Sequence, residues 1–185
     1  MHIRFSLREQ AWWVALPALL ACATPAHALN VFACEPEWAA LTRELAGDQA
    51  TVYTATHALQ DPHLVQAKPS LIAAVRNADL VVCTGAELEV AWLPVLLRQA
   101  GNPKVQPGRP GYFEAASAVR MLDVPTRLDR ADGDVHAEGN PHIQTDPRNI
   151  GLVAVSLAHR LSQVDPTQAR TYETRLADFN RRWGV

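Results

Sequence analysis

Residues 79–85, Asp-Leu-Val-Val-Cys-Thr-Gly, contain a continuous apolar run that is closed by Thr84-Gly85. An apolar run of this length without alternation is typical of a strand that is buried on both faces. Two earlier runs have the same character, at residues 29–34 (Leu-Asn-Val-Phe-Ala-Cys) and 50–53 (Ala-Thr-Val-Tyr). The sequence therefore predicts three short strands in its first half.

Helical patterns separate these strands. Residues 37–46 follow Glu35-Pro36, which suits the first turn of a helix, and residues 69–77 begin with Pro69-Ser70. Strands that alternate with helices predict an α/β fold, a parallel sheet flanked by helices on both faces. In such sheets ligands gather at the carboxyl ends of the strands.

The second half of the chain is predicted to be mostly helix and loop. We expect a helix over 87–99 that tolerates Pro94 by a kink or a break, and a helix over 148–161. A last helix, opened by Asp165-Pro166, is predicted to run to Trp183. Residues 123–147 are rich in Asp, Gly and His and predict a long polar loop, a kind of segment that usually has a function.

The amino terminus has the pattern of an export signal. Residues 1–28 combine a basic start, a short apolar run and small residues at the end, and they predict a secretory signal peptide. A less favoured alternative is cleavage before Cys22, which would leave a lipid anchor. Both interpretations place the mature protein in the periplasm.

The net charge and the cysteines limit which partners and which covalent links are expected. The formal net charge of −2 makes nucleic acid an unexpected partner. Cys34 and Cys83 each lie near the end of a predicted strand, and they are either a disulfide, which the exported compartment would preserve, or two buried thiols.

Histidines concentrate in two loops. His57 and His63 follow the second predicted strand, and His136 and His142 lie in the long polar loop. Neutral imidazole is a preferred ligand of zinc and related ions, which usually need three or four protein ligands. Because both loops should emerge at the same rim of a parallel sheet, the sequence predicts a shared metal site with His63 and His142 as the first candidates, His136 next and His57 weakest.

The two leading histidines share a tripeptide. Asp61-Pro62-His63 and Asn140-Pro141-His142 differ only by an amide, and the proline restricts the backbone before each ligand. Asp61 or Asn140 could cap its turn or accept a hydrogen bond from a ring nitrogen, which would fix the tautomer. Acidification below about pH 6.5, the ordinary pKa of histidine, should weaken metal capture.

Catalytic motifs are weak. The spacing of His136, Glu138 and His142 is not the helical two-histidine pattern of metalloproteases, and the sequence has no Gly-x-Ser-x-Gly elbow or Cys-x-x-Cys pair. A binding protein rather than an enzyme is therefore expected. The alternatives are a periplasmic metal-dependent hydrolase, in which these three residues surround a zinc-activated water, and a metal chaperone or buffer.

Three stretches resemble the zinc and manganese solute-binding proteins of bacterial ABC importers, of the type with a rigid linking helix. The similarity covers about residues 29–185, and its most specific motifs are Asp61-Pro62-His63-x5-Pro69-Ser70, Ala78-Asp79-Leu80-Val81-Val82 with Thr84-Gly85-Ala86-Glu87-Leu88-Glu89, and Asn140-Pro141-His142-x3-Asp146-Pro147. The resemblance implies that His63 and His142 bind the metal from the amino-terminal lobe of a two-lobed protein.

The same resemblance implies an organisation and a partner. Residues 29–147 would be the amino-terminal metal-binding lobe, and residues 148–185 a helical segment that includes the start of the linking helix. The bound Zn²⁺, or alternatively Mn²⁺, would pass to an ABC permease in the inner membrane. Since the second lobe of the family is missing from this sequence, we expect a truncated form whose unpaired final helix favours self-association.

Overall fold

The computed structural model describes residues 28–129, 131, 133 and 135–184. The predicted signal peptide, apart from Ala28, and the alternative lipid-anchor site at Cys22 lie outside the described residues. Within the part of the chain that is described, no helix has both the length and the apolar character needed to cross a membrane.

Four parallel strands form one sheet in the order β2-β1-β3-β4. Their bounds are β1 Leu29–Ala33, β2 Ala50–Thr54, β3 Leu80–Cys83 and β4 Tyr112–Glu114. The central strands β1 and β3 are almost wholly buried, whereas the edge strand β2 is not. The α/β fold and the three predicted strands are confirmed, and β4 is an addition that the sequence interpretation did not contain.

Among the described residues, five α-helices surround the sheet. They are α1 Pro36–Ala46, α2 Pro69–Arg76, α3 Leu93–Ala100, α4 Pro147–Val164 and α5 Ala169–Trp183. The first four carry proline in the first turn, where the missing N–H has no helical partner to lose. The side chain of Asp146 caps α4 by accepting the N–H of Arg148.

The third helix differs from the prediction of a kinked helix over 87–99. It begins at Leu93, so Pro94 lies in its first turn and interrupts nothing. Residues 85–87 all have positive φ, at 78°, 49° and 66°, which is incompatible with a right-handed helix. The segment between β3 and α3 is therefore a series of turns.

Two hydrophobic clusters cover the two faces of the sheet. On one face, Val31 and Val82 of the sheet belong to a cluster with residues of α1, α4 and α5, including Leu157 and Tyr172. On the other face, residues of β1 and β3 belong to a cluster with α2 and α3. Residues 148–183 thus share a core with the sheet, and α5 packs on α1 and α4. The domain division at residue 147 stays a prediction.

The strand order of the sheet has a switch point between β1 and β3. β2 is added on one side of β1, and β3 and β4 on the other. The loops that leave the carboxyl ends of neighbouring strands at such a point form a crevice, which is the usual ligand site of an open α/β sheet. The segments that carry the loop histidines follow β2 and β4.

Candidate metal centre

His63 is oriented by the residue two positions before it. Oδ1 of Asp61 accepts the backbone N–H of His63 at 2.9 Å and lies 2.8 Å from its ring Nδ1. A carboxylate can only accept, so Nδ1 carries the proton and Nε2 presents its lone pair. These hydrogen bonds also hold the pKa of Asp61 below its usual value, chiefly through the backbone N–H of His63. The expected tautomer-fixing role of Asp61 is thus present in the structure.

His136 meets His63 through the Nε2 atoms of the two rings. The two Nε2 atoms lie 3.3 Å apart, and the ring centroids 5.3 Å apart. Two imidazole nitrogens on one tetrahedral zinc ion, at about 2.0–2.1 Å each, are separated by about 3.3–3.4 Å. The pair therefore already has the spacing of two zinc ligands, although 73 positions separate the residues in the sequence.

His142 also contacts the ring of His63, at a greater distance than the His136 ring does. Its ring lies edge-on to that of His63, with centroids 6.2 Å apart, and its side chain is exposed. Oδ1 of Asn140 accepts the N–H of His142 at 3.0 Å, so Asn140 caps the turn but does not bind the ring. The ligand nitrogens of His63, His136 and His142 do not all lie within 4.8 Å of one another in the described residues, so a site with all three requires the His142 side chain to move. His136 and His142 also line one cavity of about 230 Å³.

Two buried or half-buried side chains anchor the histidine loops to the scaffold. The indole Nε1 of Trp92, which is 1% exposed, donates to the carbonyl of Pro62 at 2.7 Å and so fixes the residue before His63. Oε2 of Glu87 accepts the N–H of Ala137, the residue after His136, at 2.6 Å. Neither residue was predicted to belong to the site, because no local sequence pattern reveals a contact across 30 or 50 positions.

The other two candidates, His57 and Glu138, are exposed. Nδ1 of His57 accepts the N–H of Leu59 at 3.3 Å. Glu138 would be the general base of the hydrolase alternative. Of the four loop histidines, the ring contacts join His63 to His136 and His142.

A disulfide joins the carboxyl ends of the two central strands. Cys34 and Cys83 are bonded, with their Cα atoms 4.8 Å apart, and both are fully buried. This settles the alternatives that the sequence left open. Glu89 has a carboxylate oxygen within 4.8 Å of both sulfur atoms, but sulfurs bonded to each other are not free to bind a metal ion.

Two buried carboxyl groups lie beside the disulfide. Glu35 and Glu89 are each 3% exposed. Glu89 accepts the N–H groups of Thr84 and Gly85 at 2.8 and 3.1 Å, which stabilises its ionised form against the burial that raises its pKa. Burial, followed by repulsion from Glu89, raises the pKa of Glu35 far above its ordinary value of 4.5. Glu35 therefore keeps its proton at neutral pH.

Comparison with known protein families gives one consistent result. Residues 31–184 match the family model described as zinc-uptake complex component A, periplasmic (ZnuA). Among curated proteins, the chain is 27% identical over 159 residues to the metal ABC transporter substrate-binding lipoprotein ScbA of Streptococcus cristatus, covering 84% of this chain and 48% of that protein. It is 25% identical over 179 residues to the manganese ABC transporter substrate-binding lipoprotein PsaA of Streptococcus anginosus, covering 92% and 55%.

Solved structures support the fold. A crystal structure of ZnuA matches with a TM-score of 0.69 and 23% identity, over 85% of this chain and 55% of that chain. The sequence spans about half the length of the curated relatives that it matches. One lobe of a two-lobed solute-binding protein accounts for both the good match and its partial extent.

Proposed function

Since the chain belongs to the family of periplasmic A components of zinc-uptake complexes, we propose that it captures a transition-metal ion, zinc first and manganese second, for delivery to an ABC permease. His63, His136 and His142 hold the ion. The family is one of solute-binding transport proteins and not of enzymes, and this favours capture over hydrolysis. Capture takes place in the periplasm, to which the predicted signal peptide directs the chain.

The 3.3 Å separation of the His63 and His136 Nε2 atoms carries this proposal. The spacing matches one edge of a zinc tetrahedron. With Nδ1 of His63 hydrogen-bonded to Asp61, the lone pair that an ion would need lies on Nε2, and His63 needs no change of tautomer to bind it. Three nitrogen donors favour zinc over manganese, which prefers oxygen ligands.

Zinc titration of histidine variants tests the assignment. The triple variant His63→Ala, His136→Ala, His142→Ala should lose at least about 100-fold in zinc affinity when measured by competition with a chromophoric chelator. His57→Ala is the matched control, because it removes a loop histidine that lies outside the group and should leave the affinity unchanged. A triple variant that binds zinc as tightly as the parent would refute the site.

The partner requires a separate measurement. Delivery to a permease predicts that the zinc-loaded chain binds a membrane ABC transporter in a pull-down and that zinc removal weakens this binding. A chaperone or buffer would hold zinc with the same histidines and recover no transporter. Self-association through the final helix remains a prediction, and sedimentation velocity tests it. In the structure, Tyr172 and Phe179 of α5 are buried, and Trp183 is 41% exposed.

A further inference from the structure

The turn after β3 has an unusual backbone. Gly85, Ala86 and Glu87 follow one another with φ values of 78°, 49° and 66°. Glycine adopts this left-handed region freely, whereas Ala86 and Glu87 are strained in it because their Cβ atoms approach the backbone. Strain of this kind persists only where surrounding contacts hold the chain, and such positions concentrate at functional sites.

The contacts that hold this turn are present on both sides of Glu87. Ala86 and Leu88 are buried, at 3% and 1% exposure, so the backbone is fixed immediately before and after it. The carboxylate of Glu89 receives the N–H groups of Thr84 and Gly85. The turn is thus a rigid extension of β3, and Glu87 is its half-buried outward-facing side chain.

Glu87 reaches from this rigid turn to the loop that carries His136. Its Oε2 accepts the N–H of Ala137 at 2.6 Å across 50 positions of sequence. A carboxylate that accepts a backbone N–H makes a charge-assisted bond, stronger than a neutral one. Because Ala137 is bonded directly to His136, this contact fixes the backbone that places the His136 ring against His63.

We propose that Glu87 is a positioning residue of the metal site, which presets His136 by holding the Ala137 N–H from the strained turn after β3. This inference rests on the proposed function. It adds a distinct element, because Glu87 is not a ligand: it lowers the conformational freedom that His136 would otherwise lose on binding the ion.

Substitutions at Glu87 separate this role from a merely structural one. Glu87→Ala should lower zinc affinity on the order of 10-fold, and Glu87→Gln should recover most of that loss, since its amide oxygen still accepts the N–H. Glu87→Gly should weaken zinc binding like alanine but should not lower the thermal unfolding midpoint, because glycine tolerates the left-handed backbone. Glu173→Ala, an exposed glutamate on α5, is the control for loss of one negative charge.

The decisive measurement repeats Glu87→Ala in a His136→Ala background. If Glu87 acts through His136, its substitution has no further effect there, and amide hydrogen exchange at Ala137 in the metal-free parent is slower than in Glu87→Ala. Unchanged zinc affinity of Glu87→Ala, or an equal loss with and without His136, would overturn the inference. If the Glu87 inference fails in this way but the His63→Ala, His142→Ala variant loses zinc binding, the proposed function still holds. Failure of the inference and failure of the proposed function are therefore distinguishable.

Discussion

Oδ1 of Asp61 binds His63 twice, through the backbone N–H at 2.9 Å and through the ring Nδ1 at 2.8 Å. One carboxylate oxygen thereby sets both the turn and the tautomer of the ligand. Ligating histidines commonly give their second nitrogen to such a carboxylate, which also raises the basicity of the metal-binding nitrogen. The three-residue segment Asp61-Pro62-His63 therefore holds the His63 ring in one orientation and one tautomer.

Asp61→Asn should separate the two functions of this oxygen. The asparagine side chain still accepts the backbone N–H, but a neutral amide oxygen is a weaker acceptor for Nδ1, so zinc affinity should fall on the order of 10-fold. Competition titration against a chelator measures the change. Asp48→Asn, an exposed aspartate after α1, is the matched control. Equal affinities of the Asp61→Asn variant and the parent would show that the second contact contributes nothing to capture.

The disulfide predicts a large contribution to stability. Cys34 and Cys83 are separated by 49 positions, and the loss of chain entropy in the unfolded state for a loop of this size corresponds to about 4 kcal/mol. The Cys34→Ala, Cys83→Ala variant should lose about 2–4 kcal/mol in the free energy of unfolding measured in urea. Reductant should destabilise the parent and leave the double variant unaffected. If complete reduction leaves the urea midpoint of the parent unchanged, this expectation is contradicted.

The buried pair of glutamates predicts an unusual dependence of stability on pH. The pKa of Glu35 is raised on folding, so above the ordinary value of 4.5 the folded chain retains a proton that the unfolded chain releases. The stability that Glu35 contributes is therefore lost as the pH rises. Glu35→Gln, which is neutral at every pH, should remove this loss.

The quantity to measure is the free energy of unfolding of Glu35→Gln minus that of the parent, from about pH 5 to about pH 8. It should increase with pH by up to about 1.4 kcal/mol per unit, the limit set by one proton. Glu173→Gln on α5 should give a flat difference. A flat difference for Glu35→Gln as well would mean that Glu35 is ionised in the folded protein.

The parts that the sequence predicts correctly are those encoded locally. The continuous apolar runs at β1 and β3 are buried on both faces. A strand buried on both faces needs no alternation of apolar and polar residues, so the sequence pattern and the structure agree. β4 is only three residues long and follows a loop rich in Pro and Gly, so it has too little pattern to detect. The predicted helix over 87–99 was wrong because Pro94 fits a first turn better than an interior, and because the residues before it adopt positive φ.

The candidate site likewise has features that the local sequence predicts and features that depend on long-range packing. His63 and His142 stand in matching tripeptides, and the caps that Asp61 and Asn140 provide lie two residues away, within reach of local pattern. The approach of His136 to His63 depends on how two loops leave the sheet, and the contacts of Trp92 and Glu87 depend on the packing of the segment after β3. Such contacts are fixed only when the whole lobe is assembled.

The position of Leu157 predicts that α4 is a structural part of the lobe. Leu157 is fully buried in the cluster that contains Val31 and Val82 of the sheet, whereas Leu152 on the same helix is 52% exposed. Truncation of a buried leucine removes its transfer free energy and leaves a cavity, so Leu157→Ala should cost about 2–5 kcal/mol in the free energy of unfolding. Leu152→Ala makes the same chemical change at the surface and should cost well under about 1 kcal/mol. If urea denaturation gives the two variants similar stabilities, the sheet does not depend on α4, and residues 29–147 would hold their fold without the helices that follow.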